Sequence, residues 1–139
     1  MESAQYHFTT VVQSSMVDGQ GHLNHAYYLT VFEEARWDIC LTQGMTLEKM
    51  HARGIGLVVI EANIQYRREV RAGDTLHIKT RFLDVHRKIW RVEQTMENAA
   101  GTVCSMLQLK GSMFDLKERK ILLADREWQA VFLGERLQN

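Results

Sequence analysis

The sequence lacks the features that mark several large classes of protein. It has no proline, an absence that points to no particular function, and only two cysteines, Cys40 and Cys104, in 139 residues. Two cysteines do not make a disulfide framework, and both lie among apolar residues, which predicts buried thiols rather than reactive ones. No apolar run reaches about 18 residues, and no charged and then apolar leader opens the chain. We therefore expect a cytoplasmic protein without membrane contact.

Net charge is absent as well. Seventeen basic residues balance seventeen acidic ones. Without a net charge the chain has no overall field that would draw it to nucleic acid or to an anionic membrane, so neither is expected as a partner. The composition, 45% apolar and 24% charged, is that of an ordinary globular protein. Its length suits one domain, which we expect to span residues 1–139, because no linker or repeat divides it.

Several catalytic and cofactor motifs are also missing. There is no Gly-x-Ser-x-Gly elbow of a serine hydrolase and no His-Glu-x-x-His zinc motif. Gly54 and Gly56 lack the third glycine of a dinucleotide-binding loop. His22 and His25 have a spacing that could bind a metal, but no third ligand accompanies them. We therefore expect neither a metal nor a cofactor.

One long helix is the clearest element of the sequence. Asn24 is a suitable N-cap, and Gly44 lies where a helix would end. Between them, apolar residues recur with helical spacing at Tyr28, Phe32, Ala35 and Ile39, and Leu29 and Val31 widen that face. Thr46 then predicts the cap of a short second helix that ends before Gly54.

Most of the remaining chain has strand character. β-Branched, aromatic and alternating apolar residues predict strands at 5–12, 57–60, 63–66, 75–85, 89–96 and 102–114. The run 57–60 is wholly apolar, which favours a buried strand, and 127–133 predicts a closing helix. The order is a strand, a long helix and then four or more strands in a meander. Short connections make the sheet antiparallel, and a sheet with one long apolar helix must wrap around it. The predicted fold class is α+β.

The segment around the start of the long helix carries a specific motif. It reads Asp18-Gly19-Gln20-Gly21-His22-Leu23-Asn24, followed by Phe32-Glu33-Glu34-Ala35-Arg36. This pattern, with the later Gly73-Asp74 turn, resembles the 4-hydroxybenzoyl-CoA thioesterase-like hotdog family over roughly residues 5–116. The resemblance implies a hotdog fold, an antiparallel sheet of five or six strands around one long helix. It also implies hydrolysis of an acyl-CoA thioester without a cofactor.

The same residues suit thioester chemistry on physical grounds. The reaction needs a nucleophile or base and a donor for the developing oxyanion. Asp18 precedes the helix, whose first N–H groups have no intrahelical acceptor and carry the positive end of the helix dipole. The resemblance makes the N–H of His25 the candidate oxyanion donor. Gly21 would let the backbone approach the substrate closely.

Each of these residues also has a simpler interpretation. Asp18 could merely cap the turn or the helix, and His22 could position the loop rather than transfer a proton. Asn24 could be an N-cap or a substrate contact, and Tyr28 could be core or pocket wall. Because some hotdog thioesterases carry their carboxylate on this helix, Glu33 or Glu34 is the reserve candidate, and Arg36 is expected to pair with one of them.

A CoA substrate would require groups for its phosphates and its acyl chain. His86, Arg87 and Lys88 begin a predicted strand after a turn, where the family often has basic residues, although they could form a solvated turn. A second basic group is Arg67, Arg68 and Arg71. The acyl pocket would depend on the packing of Met45, Met50, Leu57, Val59 and Tyr66, so the sequence does not identify the acyl chain.

The resemblance leaves other functions and assemblies open. The same motif resembles thioesterases that act on acyl carrier protein, and other hotdog proteins hydrate enoyl thioesters or bind acyl-CoA without turnover. Because an open sheet leaves edges to cover, we expect a two-fold dimer or a dimer of dimers. In such a homo-oligomer each Asp18 loop would lie against the partner's strands.

Overall fold

A computed structural model describes residues 4–132 and Gly134. In chain order it contains β1 (Gln5–Val11), a 3₁₀ turn (Ser14–Met16), α1 (His25–Thr42), α2 (Leu47–Ala52), β2 (Ile55–Tyr66), β3 (Thr75–His86), β4 (Ile89–Glu97), β5 (Val103–Asp115), β6 (Lys120–Leu122) and α3 (Arg126–Phe132). The predicted closing helix is confirmed as α3, and its expected last residue, Leu133, lies outside the described residues. No helix within the described residues is long and apolar enough to cross a membrane.

The ends of α1 follow from local sequence. The side chain of Asn24 accepts a hydrogen bond from the N–H of Ala26 at 3.0 Å, which confirms the predicted cap. At the other end Gly44 adopts φ 87°, a conformation that a side chain disfavours. The N–H of Met45 then reaches the carbonyl of Cys40 at 2.8 Å, the bond that defines a Schellman motif.

One face of α1 forms the centre of the core. The buried residues are Tyr28, Val31, Phe32, Ala35, Ile39 and Cys40, as the helical spacing predicts. Leu29 is an exception, because 39% of it is exposed. It lies about 100° around the helix from Tyr28, outside the arc that meets the sheet.

The described residues form one sheet of six antiparallel strands, in the order β1-β3-β4-β5-β2, with β6 paired to β5. Strands β3, β4 and β5 form the predicted meander, but β2 does not join it. Instead β2 pairs with β5 at the far edge, so the prediction of a continuous meander is wrong. The segment 67–74 must therefore cross β5 and β4, because it connects the edge strand β2 with the start of β3. This architecture is the hotdog fold that the motif implies.

The edge position of β2 also corrects the prediction of a buried apolar run. Within the single chain, 52% of Val59 and 47% of Ile60 are exposed. In the part of the chain that the structure describes, β2 pairs on one side only, and its register with β5 shifts between Val59 and Glu61, which leaves Ile60 as a bulge. The apolar run of this edge strand is therefore partly exposed to solvent in a single chain.

A buried polar residue ties α1 to the sheet. The amide nitrogen of Gln94, which is fully buried, donates to the carbonyl of Phe32 and to the hydroxyl of Thr80, both at 3.0 Å. Its amide oxygen accepts from Nη1 of Arg36 at 2.8 Å. Arg36 was expected to pair with Glu33 or Glu34, but its hydrogen bond goes to Gln94, and Glu33 acts on it only through its charge.

Candidate active site

The loop that carries Asp18 is a closed turn. Val17 and Leu23 form an isolated β-bridge at its base, and Gly21 takes φ 84° at its tip. The Oδ1 atom of Asp18 accepts hydrogen bonds from the N–H groups of Gln20 and His22, at 2.9 and 3.2 Å. Among the described residues nothing binds Oδ2. Hydrogen bonds therefore hold the carboxylate through Oδ1 and leave Oδ2 without a partner among these residues.

The crossing segment 67–74 holds this loop in place. The N–H of Leu23 donates to the carbonyl of Val70 at 2.6 Å, and His22 forms a β-bridge with Arg71. Nε2 of His22 also lies 2.6 Å from Oε2 of Glu69. The loop thus depends on a segment about 50 residues further along the chain.

The first turn of α1 leaves one backbone donor open. The side chain of Asn24 accepts a hydrogen bond from the N–H of Ala26. The backbone carbonyl of Asn24 accepts one from the N–H of Tyr27 at 2.8 Å. No described residue accepts a hydrogen bond from the N–H of His25. This N–H lies at the positive end of the helix dipole, where a negative oxygen is stabilised.

Two tyrosines form the wall beside this donor. The hydroxyl of Tyr66 donates to the carbonyl of His25 at 3.2 Å, and that of Tyr28 donates to the carbonyl of Arg68 at 3.3 Å. Their rings meet edge to face, with centroids 5.0 Å apart. Burial is the main cause that raises the pKa of Tyr28, and repulsion from Cys104, Tyr66 and Glu69 in their ionised forms adds to it, so the phenol stays neutral near pH 7.

Four of the residues predicted from the motif between Asp18 and Arg36 line one concave surface that encloses about 360 Å³, namely Asp18, His22, His25 and Tyr28. Asn24 and Gly21 lie between them along the chain. The surface also includes Tyr66, Arg67, Arg68 and Glu69. The fold therefore brings the end of β2 and the crossing segment to the helix N-terminus.

The predicted phosphate contacts lie elsewhere in the chain. His86 pairs with Ile89, so Arg87 and Lys88 are the two-residue turn between β3 and β4 rather than the start of a strand. Arg87 adopts φ 56° there. Strand β3 starts beside the Asp18 loop, and its 12 residues extend about 40 Å. Within one chain Arg87 and Lys88 are therefore far from Asp18.

Val59 and Glu33 line a second, mostly apolar cavity of about 60 Å³ between α1 and β2. Trp37, Trp90 and Trp128 also contribute to its walls. Glu33 comes eight residues after His25, about 12 Å along the helix axis. Neither Glu33 nor Glu34 lines the concave surface around Asp18.

The two cysteines take no part in the site. Both are buried and free, as predicted. Burial raises the pKa of Cys40 to about 12 and also raises the pKa of Cys104. Their thiols therefore remain protonated near pH 7 and are poor nucleophiles.

Sequence reasoning missed one member of this surface, Glu69, and gave another member, Tyr66, a different role. Glu69 had no motif to single it out, because an acidic residue in a polar loop is ordinary. Tyr66 was expected in the wall of the acyl pocket, whereas its hydroxyl reaches the first residue of α1. Only the position of β2 beside α1 reveals that contact.

Comparisons with known proteins point to one family. Residues 12–132 match the family model of the thioesterase-like superfamily. The long-chain acyl-CoA thioesterase FadM of Escherichia coli is 33% identical over 118 residues, which cover 84% of this chain and 88% of that protein.

Solved structures agree in fold. The crystal structure of YbaW, a probable thioesterase from Escherichia coli, is 27% identical with a TM-score of 0.79, and the match covers 94% of this chain and 98% of that one. The Staphylococcus aureus protein SAV2348, solved in complex with CoA, is 17% identical with a TM-score of 0.86. That match covers 100% of this chain and 90% of SAV2348 and concerns the fold alone.

Proposed function

The chain belongs to the thioesterase-like superfamily, and from that premise we propose that it hydrolyses the thioester of an acyl-CoA with Asp18 as the acting carboxylate. It is a thioester hydrolase of the hotdog fold. The observation that carries the assignment of Asp18 is the pairing of a free carboxylate oxygen with an unoccupied backbone donor in one concave surface. The free oxygen is Oδ2 of Asp18, and the donor is the N–H of His25.

In the proposed mechanism the thioester carbonyl accepts a hydrogen bond from the N–H of His25. Negative charge grows on that oxygen as the carbonyl carbon is attacked, and the helix N-terminus stabilises it. Asp18 either takes a proton from the attacking water or attacks the carbon itself. In the first case the tetrahedral intermediate expels the CoA thiolate directly. In the second, thiolate leaves first and water then cleaves the acyl-aspartyl anhydride.

The neighbouring residues have supporting roles in this proposal. The contacts of Asn24 are those of a helix cap, and His22 is held by Glu69, which favours positioning over proton transfer. Gly21 permits the tight turn over the substrate, and Tyr28 forms the wall.

For the CoA phosphates we favour Arg68. It lines the same surface as Asp18, and none of the described residues pairs with its guanidinium group. Arg67 also lies there but binds the side chain of Gln65 at 2.9 Å. Arg87 and Lys88 could contact the same CoA only from a partner subunit, because within one chain they lie about one strand length away.

A second subunit is part of the proposal. Among the described residues no strand pairs with the outer edge of β2 along its 12 residues, and Glu61 is the only charged side chain of this strand. Such an edge readily pairs with another strand. We propose a two-fold dimer through β2, which would also cover Val59 and the mouth of the second cavity. A dimer of dimers is compatible with the same contact.

The name of FadM suggests long-chain acyl-CoAs as the first substrates to test. The assay uses purified protein, acyl-CoAs of short, long and aromatic acyl groups, and a thiol-trapping dye. Asp18→Asn keeps the shape of the side chain and removes its charge. We expect the wild type to cleave at least one thioester and this variant to lose about a hundredfold or more in kcat.

Glu33→Gln and Glu34→Gln are the matched controls, and both are expected to retain activity. If Asp18→Asn is unimpaired and one control is inactive, the site assignment is wrong while the function stands. If the folded wild type cleaves no CoA thioester, the same acyl groups are tested on acyl carrier protein. Tight acyl-CoA binding without turnover would then identify a binding module.

A further inference from the structure

We propose that Glu69 is a positioning residue for this reaction. It fixes the imidazole of His22 and, through His22, the carboxylate of Asp18. The inference rests on the proposed function but concerns a residue outside the motif that suggested it.

Both oxygens of Glu69 are engaged at this place. Oε2 lies 2.6 Å from Nε2 of His22, and Oε1 accepts from Nε and Nη2 of Arg71 at 3.1 and 2.8 Å. The side chains of His22 and Glu69 are 35% and 47% exposed, and such exposed pairs contribute little to stability. We therefore attribute the contact between Glu69 and His22 to the positioning of the His22 ring rather than to the stability of the fold.

The contact determines which ring nitrogen of His22 carries a proton. A carboxylate only accepts, so Nε2 must be the donor, and in the neutral ring Nδ1 is left as an acceptor. No described residue donates a hydrogen bond to Nδ1. Glu69 thus sets both the orientation and the tautomer of His22.

The backbone of His22 passes this constraint directly to Asp18. Its N–H donates to Oδ1 of Asp18 at 3.2 Å, and its carbonyl accepts from the N–H of Asp18 at 2.8 Å. A shift of His22 would therefore move the reacting carboxylate. Displacement of a reacting group by as little as about 1 Å can lower a rate by about a hundredfold.

The kinetic test compares Glu69→Ala and Glu69→Gln with the wild type on its best acyl-CoA substrate. We expect Glu69→Ala to lower kcat about tenfold or more while KM changes less than about twofold. Glu69→Gln should retain at least about half of kcat, because its amide oxygen can still accept from Nε2. In a His22→Ala background, Glu69→Ala should have no further effect, since the two residues act as one unit.

The matched control is Asp84→Ala. Asp84 forms an ion pair of similar exposure with Arg91 at the far end of β3, and its removal should leave kcat unchanged. The proposal is overturned if Glu69→Ala keeps full kcat, if its effect is confined to KM, or if it lowers kcat equally with and without His22.

A second readout does not depend on activity. In the neutral imidazole the ¹⁵N resonances of His22 distinguish the two tautomers, and we expect the neutral ring to hold its proton on Nε2 in the wild type and to show a mixture in Glu69→Ala. A mixture in the wild type would overturn the proposal even if the enzyme is active. If the wild type cleaves no thioester but shows the single tautomer, the proposed function fails while the control of His22 by Glu69 stands.

Discussion

Gly111 is the residue where the sheet packs most tightly. It lies opposite Trp90 on β4, and a Cβ atom placed on it would come 2.3 Å from the indole ring. No real contact is that short, so the ring or the strand would have to move. A glycine is required here by packing rather than by backbone conformation.

We therefore expect Gly111→Ala to lower the free energy of unfolding by about 1–3 kcal/mol, the usual effect of overfilling a core. Denaturant unfolding measures it. Gly19→Ala is the control, because nothing lies within 4 Å of its Cβ position and its φ is not positive. Equal stability of the two variants would show that Trp90 has room to shift.

At the scale of elements, α1 is the part that the site depends on most. Its N-terminus provides the proposed oxyanion donor, and its cap, Asn24, connects it to the Asp18 loop. The N–H of Asn24 also donates to the carbonyl of Met16 at 3.0 Å. The start of the helix is thus determined by the side chain and the backbone of one residue.

Replacement of Asn24 by Ala should lower the free energy of unfolding by about 1 kcal/mol, because the N–H of Ala26 loses its acceptor. Asn24→Ser should restore most of that stability, since serine is also a good cap. Thermal or denaturant unfolding of the two variants checks this. If Asn24→Ser is stable but loses activity, the residue also contacts substrate, the alternative that the sequence left open.

For the whole molecule, the uncovered edge of β2 is the dominant feature. It exposes Val59, Ile60 and Tyr66 in a single chain, beside the second cavity and close to α1. The single domain of residues 1–139 and the cytoplasmic location stay predictions, as does the dimer. Of these three predictions, only the dimer can be tested by a substitution in the free edge of β2.

We expect sedimentation to show a dimer or tetramer for the wild type and a monomer for Ile60→Lys, because a buried lysine at a strand-pairing edge opposes association. Leu83→Lys is the control, since Leu83 is also exposed and lies on β3, away from the free edge. A monomeric wild type would contradict the prediction, and so would an Ile60→Lys variant that associates as the wild type does.

The sequence by itself determined the local parts of this protein. The spacing of Tyr28, Phe32, Ala35 and Ile39, the cap at Asn24 and the stop at Gly44 depend on hydrogen bonds and periodicity within a few residues, so they were predictable. The motif from Asp18 to Arg36 likewise indicated the family and the hotdog fold. Both are confirmed.

Only the tertiary structure decided which distant residues meet. The pairing of β2 with β5 sends residues 67–74 across the sheet, which brings Glu69 to His22 and Tyr66 to His25. The same topology leaves Arg87 and Lys88 at the far end of β3 and exposes the apolar run of β2. No local pattern encodes these contacts, because strand order depends on the packing of the whole sheet around α1 rather than on any one segment.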